Sequence, residues 1–202
     1  MRERTRRVAR GTAFAIALLG FGLLAQGLYI PAKAWVAQQL LHRAWKQTLA
    51  GAVSPRPWPW ADASPLARLR WPDRDISQIV LSHASARGMA FGPGHLPPSA
   101  RPGRPGHIVL TAHQDTHFRF LDQLTPGDRL ELEHVGGVTR YRVTGRQVID
   151  TRQAGLPYQP DLNLLSLVTC WPASLTGRTP YRLVVDLAPE GAAYAVDDHK
   201  RT

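Results

Sequence analysis

Residues 164–170 read Leu-Leu-Ser-Leu-Val-Thr-Cys, and Arg182, twelve positions after that cysteine, opens Arg-Leu-Val-Val. Leu164 to Thr169 and Tyr181 to Leu187 are short apolar runs, the length of strands rather than helices. Cys170 is the only cysteine of the chain, so no disulfide within the chain can claim it. A lone thiol at the end of one strand, with an arginine at the start of the next, suggests a positioned nucleophile. That reading requires a histidine nearby. His113, which closes His107-Ile108-Val109-Leu110-Thr111-Ala112-His113, is the candidate.

The remaining chain around these runs also reads as β. Ala67 to Trp71 alternates, Ile76 to Ser82 is a short apolar run, and His107 to His113 has the look of a buried strand. Arg129 to His134 and Thr139 to Gly145 alternate on either side of Gly136-Gly137, a hairpin signal, with Val143 to Ile149 extending the second arm. Gly88 to Gly106 carries Pro93, Pro97, Pro98, Pro102 and Pro105 and reads as loop. Seven or eight short strands with little helix between them predict an all-β domain over 55–188, closed as an antiparallel barrel that leaves no free edge. A polar tail, 189–202, follows.

The first residues differ in kind. Thr12 to Ile30 is nineteen residues without a charge, close to the ~20 needed to cross a bilayer as a helix. Before it, the arm 1–11 holds Arg2, Arg4, Arg6, Arg7 and Arg10 against Glu3 alone. The positive-inside rule keeps that arm in the cytoplasm and sends the β domain out. A cleaved signal peptide is the competing reading, but Leu23 is bulky two residues before Ala25, the acceptable cleavage position. Pro31 to Ala50 predicts a second, short amphipathic helix, and the proline-rich stretch from Ala52 to Ser64 a linker, so 31–54 is juxtamembrane. The net charge of +10 invites a nucleic-acid partner. Much of that excess lies in the basic arm, and the other arginines are scattered without interleaved aromatics, so no nucleic acid is expected.

A thiol attacks an amide only as the thiolate, so a group near it must accept its proton. The tetrahedral oxyanion then needs a donor or positive charge aimed at it. Cys170, His113 and Arg182 supply these residue types, each at a strand edge. Leu-Val-Thr-Cys, the short loop, Arg-Leu-Val-Val and the upstream Ala-His together resemble the sortase signature. Phe118, Leu121, Leu124 and Gly127-Asp128 match the stretch that follows the family's histidine. Trp58-Pro59-Trp60-Ala61-Asp62, Phe91-Gly92-Pro93-Gly94-His95 and His113 through Leu121 resemble the class GN sortases of Gram-negative bacteria. The likeness covers about Pro57 to Asp186. Gln114 and His107 depart from it, since the family usually has arginine and asparagine there.

The resemblance implies a membrane-anchored cysteine transpeptidase on a closed eight-stranded barrel. Cys170 is then the nucleophile, His113 the acid/base and Arg182 the group that steadies substrate and oxyanion. Thr169, His117 and Gln114 are candidate substrate contacts. The implied substrate is an exported protein with a C-terminal signal resembling Leu-Pro-x-Thr-Gly, passed through a thioester to an amine acceptor. No cofactor is implied, and no acidic cluster demands a metal. Two other readings stay open. His113, Asp115 and His117 form His-x-Asp-x-His, the ligand spacing of a metal-dependent hydrolase that could draft His134 or Asp150. A catalytically silent barrel that binds peptide tails is the other.

Overall fold

The computed structural model describes residues 2–156, 158–172 and 179–191; the expected polar tail beyond Gly191 lies outside them. One long helix, α1 (Arg2–Leu49), precedes eight strands. The strands are β1 (Pro65–Trp71), β2 (Ile76–Leu81), β3 (Gly94–His95), β4 (His107–Thr111), β5 (Arg129–His134), β6 (Gly137–Asp150), β7 (Leu164–Cys170) and β8 (Tyr181–Pro189). They close as β1-β2-β3-β4-β7-β8-β6-β5, a barrel in which every strand has two neighbours.

Two expectations change here. The anchor and the amphipathic helix are one element, because α1 runs through Pro31. An internal proline removes one backbone hydrogen bond, and helices of the membrane-spanning kind accommodate it through local adjustments that re-satisfy the freed carbonyl. The barrel is also not wholly antiparallel, since β4 pairs with β7, and β2 with β3, in parallel. Parallel neighbours need a long crossover, and the β5–β6 hairpin with its flanking loops supplies it between β4 and β7. That hairpin turns at Val135-Gly136, because His134 pairs with Gly137.

The chain forms two compact units, 1–40 and 41–202. In the first, Leu18, Leu19, Phe21, Leu23 and Leu24 are all exposed. By length and composition a span within Ile16–Leu49 could cross a membrane, a signature that membrane anchors and signal sequences share. The second unit starts before the expected boundary at Pro55. Leu41 and Trp45 bury against Ala63, Ile79 and Leu81, and Trp45 Nε1 donates to Glu133 (3.2 Å).

Inside the barrel, Leu69, Val80, Leu110, Leu130, Leu132, Leu165, Leu167 and Val185 form the core. A 3-10 turn over Arg119–Gln123 carries Phe120 and Leu121 into it, beside Phe118 and Leu124. These four side chains plug the barrel just after the His113 loop. Strand β7 is buried on both faces, which explains its unbroken apolar run. Its outward Val168 packs with Val109 and Val184 beneath Leu96, Ile149 and Leu156.

Candidate active site

Strands β4, β7 and β8 are adjacent, and the three expected catalytic residues lie at one end of them. Cys170 is the register partner of Arg182. The neighbouring Trp171 N–H donates to the Tyr181 carbonyl (3.1 Å), so Trp171 and Tyr181 are a hydrogen-bonded pair. Antiparallel ladders alternate, and Cys170/Arg182 is therefore the non-hydrogen-bonded kind, with side chains on one face and backbones about 4.5 Å apart at Cα. Across the parallel pair, Thr111 lies opposite Val168. The Ala112 N–H continues that ladder to the Val168 carbonyl (3.3 Å), which keeps the chain in step and brings His113 level with Cys170.

The chain turns away at this point, where the Phe118 N–H donates to the His113 carbonyl (3.1 Å). The imidazole of His113 is exposed, and Cys170 and Arg182 are half-buried. Arg182 Nη1 donates to the carbonyls of Thr179 (2.6 Å) and Tyr181 (2.8 Å), which fixes the guanidinium at the base of the β7–β8 loop. Thr179 in turn donates from its hydroxyl to the Trp171 carbonyl (2.8 Å). Residues 173–178 of that loop lie outside the described part.

The three secondary candidates are held by the protein itself. Thr169 is buried, and its hydroxyl donates to the Ala112 carbonyl (2.8 Å). This bond ties β7 to β4. The Gln114 amide lies against the carbonyls of Cys170 (2.7 Å) and Pro172 (3.2 Å); because both are acceptors, the amide is assigned with its nitrogen facing β7 and donating to them. His117 Nδ1 lies 2.8 Å from Gln78 Oε1, and Nε2 3.3 Å from the Ala90 carbonyl. Burial is the main cause that holds the His117 pKa below 6.5, and the nearby His113 adds to it.

Those contacts argue against the metal reading. Both nitrogens of His117 face protein oxygens, and among the described residues no three His, Cys, Asp or Glu side chains converge as a metal site. The residues that could be drafted are engaged elsewhere: Asp150 with Arg152 (2.6 Å) and His134 Nε2 with Thr139 (3.1 Å).

One buried chain was not anticipated. The Gln159 N–H donates to His107 Nδ1 (3.0 Å), which leaves Nε2 to carry the ring proton of the neutral imidazole. His107 Nε2 then lies 2.8 Å from Ser166 Oγ, whose hydroxyl donates to Asp186 (2.5 Å). This chain crosses the same three strands below the site. Ser166 and Asp186, each polar within an apolar strand, were the signals that could have revealed it.

A family model, the sortase domain, matches residues 69–190. This chain belongs to the sortase family. Sortases are cysteine transpeptidases, and the match spans every strand from mid-β1 to β8. Sortase D of Bacillus subtilis (strain 168) is 31% identical over 107 residues, covering 52% of this chain and 54% of that protein. The alignment thus spans about half the length of the curated relative. Among solved structures, sortase C-1 of Actinomyces oris is 29% identical with a TM-score of 0.53, covering 62% of this chain and 72% of that one. Sortase C1 of Streptococcus agalactiae has a TM-score of 0.56 at 24% identity, with coverages of 83% and 92%, and shares the fold.

Proposed function

We propose that this sortase is a membrane-anchored cysteine transpeptidase of the class GN type, with Cys170 as nucleophile, His113 as general acid/base and Arg182 at the oxyanion. One observation carries this reading: Cys170 closes β7 opposite Arg182 near the start of β8, and His113 follows two residues after the end of the neighbouring β4, at the same rim of the barrel. The class rests on the Trp58–Asp62, Phe91–His95 and His113–Leu121 motifs. The orientation rests on the arginines of the basic arm, which hold the N-terminus in the cytoplasm and the barrel outside.

In this mechanism the Cys170 thiolate adds to the carbonyl carbon of the threonine in a Leu-Pro-x-Thr-Gly-like signal. The carbonyl π electrons move to oxygen, and Arg182 faces the resulting oxyanion with its Nε and Nη2 edge. Collapse expels the amine, which takes a proton from His113 and leaves a thioester on Cys170. An acceptor amine then attacks the thioester, gives its excess proton to His113, and releases the thiolate. The partners are an exported protein bearing the signal, the amine acceptor and the lipid bilayer.

Mass spectrometry of the full chain incubated with Leu-Pro-x-Thr-Gly peptides tests the reading. A covalent adduct on the Cys170 peptide, absent in Cys170→Ala, is the expected result. Peptide binding with neither adduct nor cleavage in the unaltered protein would favour a silent barrel and overturn it.

A further inference from the structure

Gln114 is the residue after His113, and its side chain reaches the backbone of the strand that ends in Cys170. Because Cys170 belongs to a non-hydrogen-bonded pair with Arg182, its carbonyl points away from β8, toward the side where β4 runs. β4 has ended by then. The last backbone rung there is Ala112 N–H to Val168 carbonyl. The next carbonyl of β7 on that side is that of Cys170, two residues on, and the chain has already turned at His113 to begin the barrel plug. A side-chain amide supplies the missing rung. Gln114 donates to the Cys170 carbonyl (2.7 Å) and to the Pro172 carbonyl (3.2 Å), spending both of its amide protons.

His113 is thereby bracketed. The residue before it is tied to β7 through its N–H to Val168 and its carbonyl to the Thr169 hydroxyl. The residue after it is tied to Cys170 and Pro172. We infer that Gln114 is a positioning residue, which completes the β4–β7 ladder with its side chain and so sets where the imidazole of His113 stands relative to the Cys170 sulfur. This inference rests on the roles proposed above for those two residues. It also assigns Gln114 to the protein's own backbone instead of to the sorting peptide. A donor is what the position requires, because both partners are carbonyl oxygens. Glutamate there would have the same shape and set a carboxylate against two acceptors.

The test uses Gln114→Glu and Gln114→Ala in the full chain, beside His113→Ala and Cys170→Ala. The chain has a single thiol, so alkylation by iodoacetamide reports on Cys170 alone and needs no peptide. The expected result is an alkylation-rate profile against pH that departs from the unaltered protein toward that of His113→Ala. With a cleaved peptide, kcat should fall at least about tenfold while KM stays within about threefold, the mark of a displaced group rather than a lost binding contact. If Gln114→Glu fails to fold, Gln114→Ala, which introduces no charge, carries the measurement. An alkylation profile identical to that of the unaltered protein, or a raised KM at unchanged kcat, overturns the inference. The two readings fail separately. If the Gln114 variants shift the alkylation profile while no peptide is ever cleaved, the positioning role stands and the transpeptidase reading falls. If Cys170→Ala abolishes cleavage while Gln114→Glu cleaves normally, the reverse holds.

Discussion

Cys170 and Arg182 face one another as the last register pair of the β7–β8 ladder, with their side chains on one face of the barrel wall. Arg182 is also anchored through Nη1 to the carbonyls of Thr179 and Tyr181. The guanidinium is thus held before any substrate arrives, and an oxyanion formed at Cys170 would meet a charge that needs no reorganisation.

Replacing that charge should therefore be costly in the chemical step. Arg182→Ala is expected to lower kcat for peptide cleavage by about 10²–10³, the scale of a lost oxyanion donor. Arg182→Lys should recover only part of this, because one ammonium cannot both hold the loop carbonyls and present a planar edge. Steady-state kinetics with the Leu-Pro-x-Thr-Gly peptides measures both.

The chain from His107 through Ser166 to Asp186 should matter to stability. Ser166 is fully buried, and Ser166→Ala leaves His107 Nε2 and one Asp186 oxygen without their partner. The expected loss is about 1–3 kcal/mol in urea unfolding. A variant as stable as the unaltered protein would show that the chain contributes nothing net.

Stability should also fall in mild acid. Burial lowers the pKa of His107, His117 and His134 below the ordinary 6.5. The folded protein keeps these rings neutral where the unfolded chain already binds protons. Below 6.5 the unfolded state therefore gains more protons, and the stability present above that value is lost as pH falls toward the folded pKa values. Urea midpoints should decline from about pH 7.5 to about pH 5.5, the range in which histidines titrate. His107→Gln, which cannot titrate, should flatten part of that decline.

A glycine sets the close approach of β3 to its neighbour loop. A Cβ at Gly94 would lie 2.5 Å from the Ala84 Cα, against backbone that cannot swing aside. Gly94→Ala is expected to cost about 1–3 kcal/mol, as overpacking does, with the shift read from the thermal midpoint. An unchanged midpoint would mean that the loop at 83–84 yields without cost.

The long strands were legible because their pattern is local. β1, β5 and β6 alternate, β4, β7 and β8 are continuous apolar runs, and the residue at the end of each run was in place to be noticed. Strand β3 was not legible. It is two residues long within a proline-rich segment, and only its partners Leu81 and Thr111 make it a strand. The continuity of α1 through Pro31 was hidden for a different reason, since proline is favoured at a helix start and its place inside a continuous helix is the exception.

Local order along the chain determined which residues carry reactive groups and that each closes or opens a strand, because side-chain chemistry and hydrophobic period are properties of neighbours in sequence. The tertiary fold alone decided that Thr169 and Gln114 meet backbone carbonyls, that His117 lies against Gln78 and Ala90, and that His107 reaches Ser166. Each of these is a hydrogen bond between residues 27 to 59 positions apart in sequence. Which donor meets which acceptor over such a span is set by strand register and barrel closure, and neither is written in any short stretch of the chain.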